Sequence, residues 1–305
     1  MPTLRRPVFL YRCLASIALQ NPPPTEVLVG IRADDTESAP VLAEFASRLS
    51  VRAVKAVGRG VVGSMNSCLK EARGEFIALV DDDVELPPEW LATMLRHLDQ
   101  NPDVLGAAGR DRLVGNKDHL KNGTTLDVGR FHWYGKITGN HHRGTGPARR
   151  VDILRGSNCL FLGDFLRDVG FEKQLRGSGA QVHWELGLAL HARQLRRPLF
   201  YDPAVEVIHH VAPRHDADQL HRGTFNAEAL RDMSYNEAFL IHSYTPRSMQ
   251  WRCMAWAFLV GGGFTPGLVK CLHLLWRGES HLAARVVAFT SGWVAGLRDA
   301  RKLRH

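Results

Sequence analysis

The hydrophobic positions of this chain fall into two alternating periods. After Pro7, which suits a first helical turn, Leu10, Leu14, Ile17 and Ala18 recur at helical spacing, and Asn21-Pro22-Pro23-Pro24 ends that helix. Val27-Leu28-Val29-Gly30-Ile31 is a short apolar run without polar alternation, as in a parallel strand covered on both faces, and it ends in Asp34-Asp35. Ser38 and Pro40 start a helix over 40–49, and a short strand spans 51–55. Gly58-Arg59-Gly60 leads into a helix over about 62–72, which Gly74 ends before the most apolar strand, Phe76-Ile77-Ala78-Leu79-Val80. That strand stops at Asp81-Asp82-Asp83, and Pro87-Pro88 opens a helix with Trp90, Leu91, Met94, Leu95 and Leu98 on its inner side.

This rhythm predicts an α/β fold with a mostly parallel sheet and ligands beyond the carboxyl ends of its strands. Residues 115–150, rich in Gly, His, Asn and Arg, read as a long lid or binding loop. Apolar order returns over 155–161, followed by a helix over 182–195 and a strand over 199–208 around Asp202-Pro203. A change of composition near 245 predicts a catalytic domain over 1–245 and a helical extension over 246–305. In that extension Met249, Trp251, Met254, Trp256, Phe258, Leu259 and Val260 are apolar, Gly261-Gly262-Gly263 and Pro266 interrupt the run, and Lys270 and Arg277 flank the apolar segment after it. The pattern suits an anchor lying on an anionic membrane surface; helices packed on the first domain or on a second subunit are the competing reading.

Composition, 45% apolar and 23% charged, is that of a globular protein. The net charge of +8, drawn from clusters such as Arg149-Arg150 and Arg193/Arg196/Arg197, suits polyanions. Nucleic acid is not among the expected partners, because no basic stripe interleaved with stacking aromatics and no zinc-finger spacing occurs. The five cysteines stand singly in apolar stretches, as small core residues in a reducing compartment. The start lacks a signal-peptide layout, and the expected location is cytoplasmic, peripheral at the inner face of the cell membrane.

Three adjacent carboxylates after a buried strand repel one another unless a cation or solvent offsets them. Mg²⁺ or Mn²⁺ does so, commonly through one or two carboxylates with phosphate oxygens completing the shell. A solvated acidic turn with helix-capping duties is the plainer alternative.

The stretch from Gly58 to Val84, with Asn66, Gly74-Glu75 and Leu79-Val80-Asp81-Asp82-Asp83, resembles the centre of a family 2 glycosyltransferase. The likeness runs from residue 2 to about 210. It implies a GT-A fold, a nucleotide-diphosphate sugar as donor, a divalent metal (Mn²⁺ or Mg²⁺), and transfer with inversion to a saccharide or lipid-linked acceptor. Carried over residue by residue, it puts Asp81, Asp83 and His209 on the metal and Asp81, Asp82, Pro2, Thr3, Arg5, Asp34, Asp35 and Asn66 around the donor. Gly156, Ser157, Asn158 and Trp184 fall under the acceptor. Members often read Glu-Asp-x-Asp/Glu-Leu on the catalytic helix, where this chain reads Val182-His183-Trp184-Glu185-Leu186. The alignment puts His183 at the base position and keeps Glu185, and either can accept a proton. A metal-dependent phosphohydrolase and an inactive nucleotide-sugar-binding protein are the alternative readings. If Pro2-Thr3 ends the family's first strand, the buried part of that strand is expected upstream of Met1.

Overall fold

The computed structural model describes residues 1–114, 123–215, 220 and 224–303; part of the long loop expected over 115–150, residues 115–122, lies outside them. Strands β1 (Pro2–Thr3), β2 (Val27–Ile31) and β3 (Val51–Lys55) form a parallel sheet in that order, joined through helices α1 (Pro7–Ile17) and α2 (Ser38–Phe45). β2 is buried at all five positions, which is why it shows no polar alternation. Helix α3 (Gly60–Glu71) packs so closely that a Cβ at Gly30 would lie 2.1 Å from Ser64 Oγ.

β4 (Phe76–Val80) borders the second sheet. Next along the chain come β5 (Val84–Glu85), α4 (Trp90–Gln100) and β6 (Gly106–Val114), then a hairpin, β7 (Arg130–Phe131) and β8 (Ile137–Thr138). β9 (Arg149–Val151), β10 (Asn158–Leu162), α5 (Gly163–Val169), α6 (Trp184–Gln194) and β11 (Leu199–His210) come after it. The sheet order is β4-β10-β6-β11-β5, with β9 also on β11. β6 and β11 run parallel, while β10 is antiparallel to both its neighbours. Between β2 and β4 lies a cavity of about 440 Å³ lined by Val27, Leu28 and Phe76 to Val80.

Helix bounds shift for local reasons. Ser38 lies inside α2, and Asp35 accepts the amide hydrogens of Glu37 and Ser38 together with the Ser38 hydroxyl. α6 starts at Trp184, because Gln181 and His183 take left-handed backbone conformations (φ 45° and 79°).

After α7 (Ala227–Tyr244) come α8 (Arg247–Ala255), a π-helical turn (Trp256–Val260), α9 (Leu268–Trp276) and α10 (Leu282–Lys302). Cβ atoms at Gly292 and Gly296 would lie 2.2 and 2.5 Å from the carbonyl oxygens of Arg231 and Tyr235, so α10 rests almost directly on the α7 backbone. Phe289 and Trp293 share one core with Leu188 and Phe239. Met249 and Phe258, read as surface residues from the sequence, also turn inward: Met249 is buried, and the Phe258 ring sits 5.1 and 5.8 Å from those of Phe289 and Trp293. Trp251 and Leu259 stay exposed, and further exposed apolar surface lies on α9, none of whose nine residues is buried. No described helix is long and apolar enough to cross a membrane.

Candidate active site

The carboxyl end of β4 delivers Asp81-Asp82-Asp83 and the end of β11 delivers His209 to one cleft of about 790 Å³. Ligand atoms of Asp81, Asp83 and His209 lie within 4.8 Å of one another. His209 Nε2 is 3.2 Å from Asp83 Oδ1, and its buried Nδ1, without a hydrogen-bond partner, is 3.9 Å from Asp111 Oδ2. Asp111, on β6, is fully buried; its carboxylate accepts from Ser157 Oγ at 2.8 Å and from the Asn158 amide, and pairs with Arg155 Nε at 2.9 Å.

Burial disfavours charge throughout this cluster, and local partners decide the outcome. Burial, then Asp83, raises Asp81. Burial also opposes the charge of Asp83, but the hydrogen bond and charge of His209 together with Arg6 and the Ala212 amide outweigh it and lower the pKa. Burial likewise opposes the charge of Asp111, but Arg155 and His209 hold it well below the usual carboxylate range. His209 is driven up to about 9, because Asp111 and Asp83 overcome its desolvation. Two carboxylates and an imidazole, with a third carboxylate behind the imidazole, form a donor set suited to a divalent cation.

The other expected residues divide. Pro2 and Thr3 line the cleft, and the Thr3 hydroxyl donates to Asp82 at 2.7 Å. Asp82 also pairs with Arg6 at 2.9 Å, and burial raises it to about 6 against the pull of that guanidinium. Arg5 bonds to Asp34 at 3.2 Å, and Asp35 is buried with its oxygens committed to Arg5 N, Glu37, and Ser38. Asn66 clamps the backbone of Phe171 in both directions, at 2.8 and 3.0 Å. Arg5, Asp34, Asp35 and Asn66 are not in the cleft lining.

On the acceptor side, Gly156, Ser157 and Trp184 line the cleft, but the Ser157 and Asn158 side chains are directed at Asp111, and Asn158 also accepts from Gly109 N. A Cβ at Gly156 would lie 1.9 Å from Trp184 Cζ2, so that glycine makes room for the buried indole. His183, with a quarter of its side chain exposed, and Glu185 both line the cleft; Glu185 is raised by burial and faces Arg155 and the Gly156 backbone.

Three residues escaped the sequence reading. Arg6 was passed over for its neighbour Arg5, Asp111 sits in a strand that small residues concealed, and Glu237 of α7, whose Oε2 is 3.8 Å from His183 Nε2, carries no motif.

An acidic cluster at the carboxyl end of β4, where a parallel three-stranded sheet and a mixed sheet are flanked by helices, marks a protein of the GT-A class. Residues 1–154 match the family described as Glycosyl transferase family 2, and the chain belongs to that family. It is 23% identical over 177 residues to a poly-beta-1,6-N-acetyl-D-glucosamine synthase of Staphylococcus epidermidis, covering 57% of this chain and 42% of that protein. It is 26% identical over 113 residues to a glucosyl-dolichyl phosphate glucuronosyltransferase of Haloferax volcanii, covering 37% of this chain and 34% of that one. The chain thus spans less than half the length of these curated relatives. Two solved structures share the fold. The mannosyltransferase PcManGT from Pyrobaculum calidifontis, in complex with GDP-Man and Mn²⁺, has a TM-score of 0.54 at 19% identity, over 98% of this chain and 84% of that one. TarS from S. aureus in complex with UDP-GlcNAc has a TM-score of 0.59 at 14% identity, over 99% and 90%.

Proposed function

We propose that this chain is an inverting, metal-dependent glycosyltransferase that moves a sugar from a nucleotide-diphosphate donor to a saccharide or lipid-linked acceptor, in polysaccharide or glycolipid synthesis. The observation that carries this reading is the convergence of Asp81, Asp83 and His209 in a cleft that His183 and Glu185 also line. The nucleotide sugars held by PcManGT and TarS, which share the fold, support such a donor.

Asp81, Asp83 and His209 would hold the cation, which supplies positive charge for the departing diphosphate. Asp111 fixes the His209 ring from behind, and Thr3 and Arg6 hold Asp82 so that the cluster keeps its shape. His183 takes the proton of the acceptor hydroxyl as its oxygen bonds to the anomeric carbon; the bond from that carbon to the diphosphate oxygen breaks, and its electron pair leaves with the diphosphate. Glu185 orients the acceptor. Residues 1–245 are the catalytic part and 246–305 an extension that seats the protein on the anionic cytoplasmic membrane face through α9.

The test is a thermal-shift screen of nucleotide diphosphates and nucleotide sugars with and without Mn²⁺, followed by transfer assays with the hits. A ligand at about 100 times its Kd adds roughly 2.7 kcal/mol of stability. A metal-dependent shift with a nucleotide sugar is expected; no shift with any of them, or hydrolysis of phosphate esters instead of sugar transfer, overturns the reading.

A further inference from the structure

Glu237 lines the cleft from the middle of α7, outside the residues 1–154 that match the family. Its Oε2 lies 3.8 Å from His183 Nε2, and the two side chains are 16% and 24% exposed. The next residue back on α7, Asn236, grips the loop that carries His183. Its amide donates to the carbonyls of Val182 at 3.0 Å and Arg176 at 3.1 Å, and its oxygen accepts from Arg176 N at 2.7 Å. His183 itself holds φ 79°, a left-handed conformation that a non-glycine residue keeps only where its surroundings enforce it. One helix therefore both fixes an unfavourable backbone and sets a carboxyl beside the ring it presents.

We propose that Glu237 is the positioning residue for His183: its carboxyl group, 3.8 Å from Nε2, holds the ring by charge and so presents Nδ1 as the atom that takes the acceptor's proton. This rests on the sugar-transfer reading. The proton gained at Nδ1 stays on His183 as imidazolium, whose charge the Glu237 carboxylate offsets, and it passes to solvent after the diphosphate has left. Burial lifts Glu237 to about 7, which brings its proton affinity close to that of an ordinary imidazole. The other ionisable groups that line the cleft are Glu185 on α6, Arg155 before β10, Lys136 between β7 and β8, His141 and His142 after β8, Arg214 and His215 after β11, Arg6, Arg32, and the acidic cluster with His209. They remain in place when Glu237 alone is changed.

The experiment uses the full chain with Glu237→Gln, and Glu237→Asp as the variant that keeps the charge. In ¹H–¹⁵N spectra, with the His183 signals assigned by their loss in His183→Ala, the His183 titration midpoint should fall by about one pH unit in Glu237→Gln and return part of the way in Glu237→Asp. In transfer assays the acidic limb of kcat should move to lower pH with the same step, kcat should fall at least about tenfold, and donor KM should change by less than about twofold. A His183 midpoint and an acidic limb that stay where they are in the wild type, in folded Glu237→Gln, overturn the pairing. If the wild type transfers no sugar, the functional reading fails while the titration still decides whether the two residues are coupled.

Discussion

His209 Nε2 lies 3.2 Å from Asp83 Oδ1, because β5 pairs antiparallel with β11, His209 opposite Val84, and so sets the residue just before β5 beside the end of β11. With Asp81 they leave a space bounded by two carboxylates and an imidazole. Like charges at such range need a counter-ion when a diphosphate joins them. Asp83→Asn is expected to abolish Mn²⁺-dependent nucleotide binding by calorimetry, and EDTA to do the same to the wild type; undiminished affinity in EDTA removes the metal from the mechanism.

Asp82 behaves differently from its neighbours. It is buried, with Thr3 and Arg6 as partners, and removing Arg6 leaves an uncompensated carboxylate in the interior. Arg6→Ala should destabilise the fold by about 1–2 kcal/mol in urea unfolding at pH 7, because an Asp82 left without its partner can take up a proton instead of staying charged. The penalty should shrink as the pH falls from 7 toward 6, because Asp82 without Arg6 is neutralised above its wild-type value of about 6. A penalty that does not depend on pH would show that lost packing, not charge, sets it.

Leu268, Val269, Leu272, Leu275 and Trp276 on α9 are each more than half exposed, from 57% to 84%. Lys270 and Arg277 flank this surface, the arrangement of a helix lying in an interface. The full chain should float with vesicles containing anionic lipid, and Leu272→Asp with Trp276→Ser should release it, weakening binding by about tenfold or more. Absence of flotation, with α9 covered instead in a dimer seen by sedimentation, assigns the surface to a second copy.

His141, on the wall of the cleft, carries a pH effect of its own. It is buried, its Nε2 lies 2.9 Å from the Ile153 carbonyl to which it donates, and burial lowers it to about 4. Between about 4 and the unfolded value near 6.5 the unfolded chain binds the extra proton, so stability falls as pH drops through that window and is full above it. The drop is about 3 kcal/mol. His141→Gln, which keeps a donor but cannot titrate, should flatten the curve of urea midpoint against pH between 6.5 and 4; an unchanged slope places the acid sensitivity elsewhere.

The sequence was legible where burial alone selects residues. β2 is apolar because it is buried at every position, and the acidic cluster after β4 stands out by the cost of its charges, although β4 itself is a half-buried edge strand. β6 was hidden because close packing demanded small residues that carry no strand signal: a Cβ at Gly106 would lie 2.4 Å from the Phe161 ring, and one at Gly109 2.2 Å from the Val205 carbonyl. With that strand went Asp111, the support of His209. Arg6 reaches the acidic cluster where Arg5 does not, because Arg5 takes φ 51° and the two guanidinium groups part, one to Asp34 and the other to Asp82 and Asp83. No local pattern could reveal Glu237, since its partner is set by how α7 crosses the loop before α6.

The base is the prediction on which the chemistry turns. His183 and Glu185 sit two positions apart at the start of α6, and such residues face different directions. Glu185 points toward Arg155 and the Gly156 backbone, a setting that suits holding and orienting, although burial raises its proton affinity in the direction a base requires. His183 stands at the turn before the helix, partly open to the cleft. It brings there an imidazole, a group whose ordinary pKa of about 6.5 suits proton abstraction near neutrality. At saturating donor, His183→Ala should therefore lower kcat by about 10² to 10⁴ with donor affinity intact. Glu185→Gln should act chiefly on acceptor KM, leaving kcat within about tenfold of the wild type. The reverse ranking assigns the base to Glu185. If neither substitution slows transfer by more than about tenfold, the proton leaves by a route outside this helix.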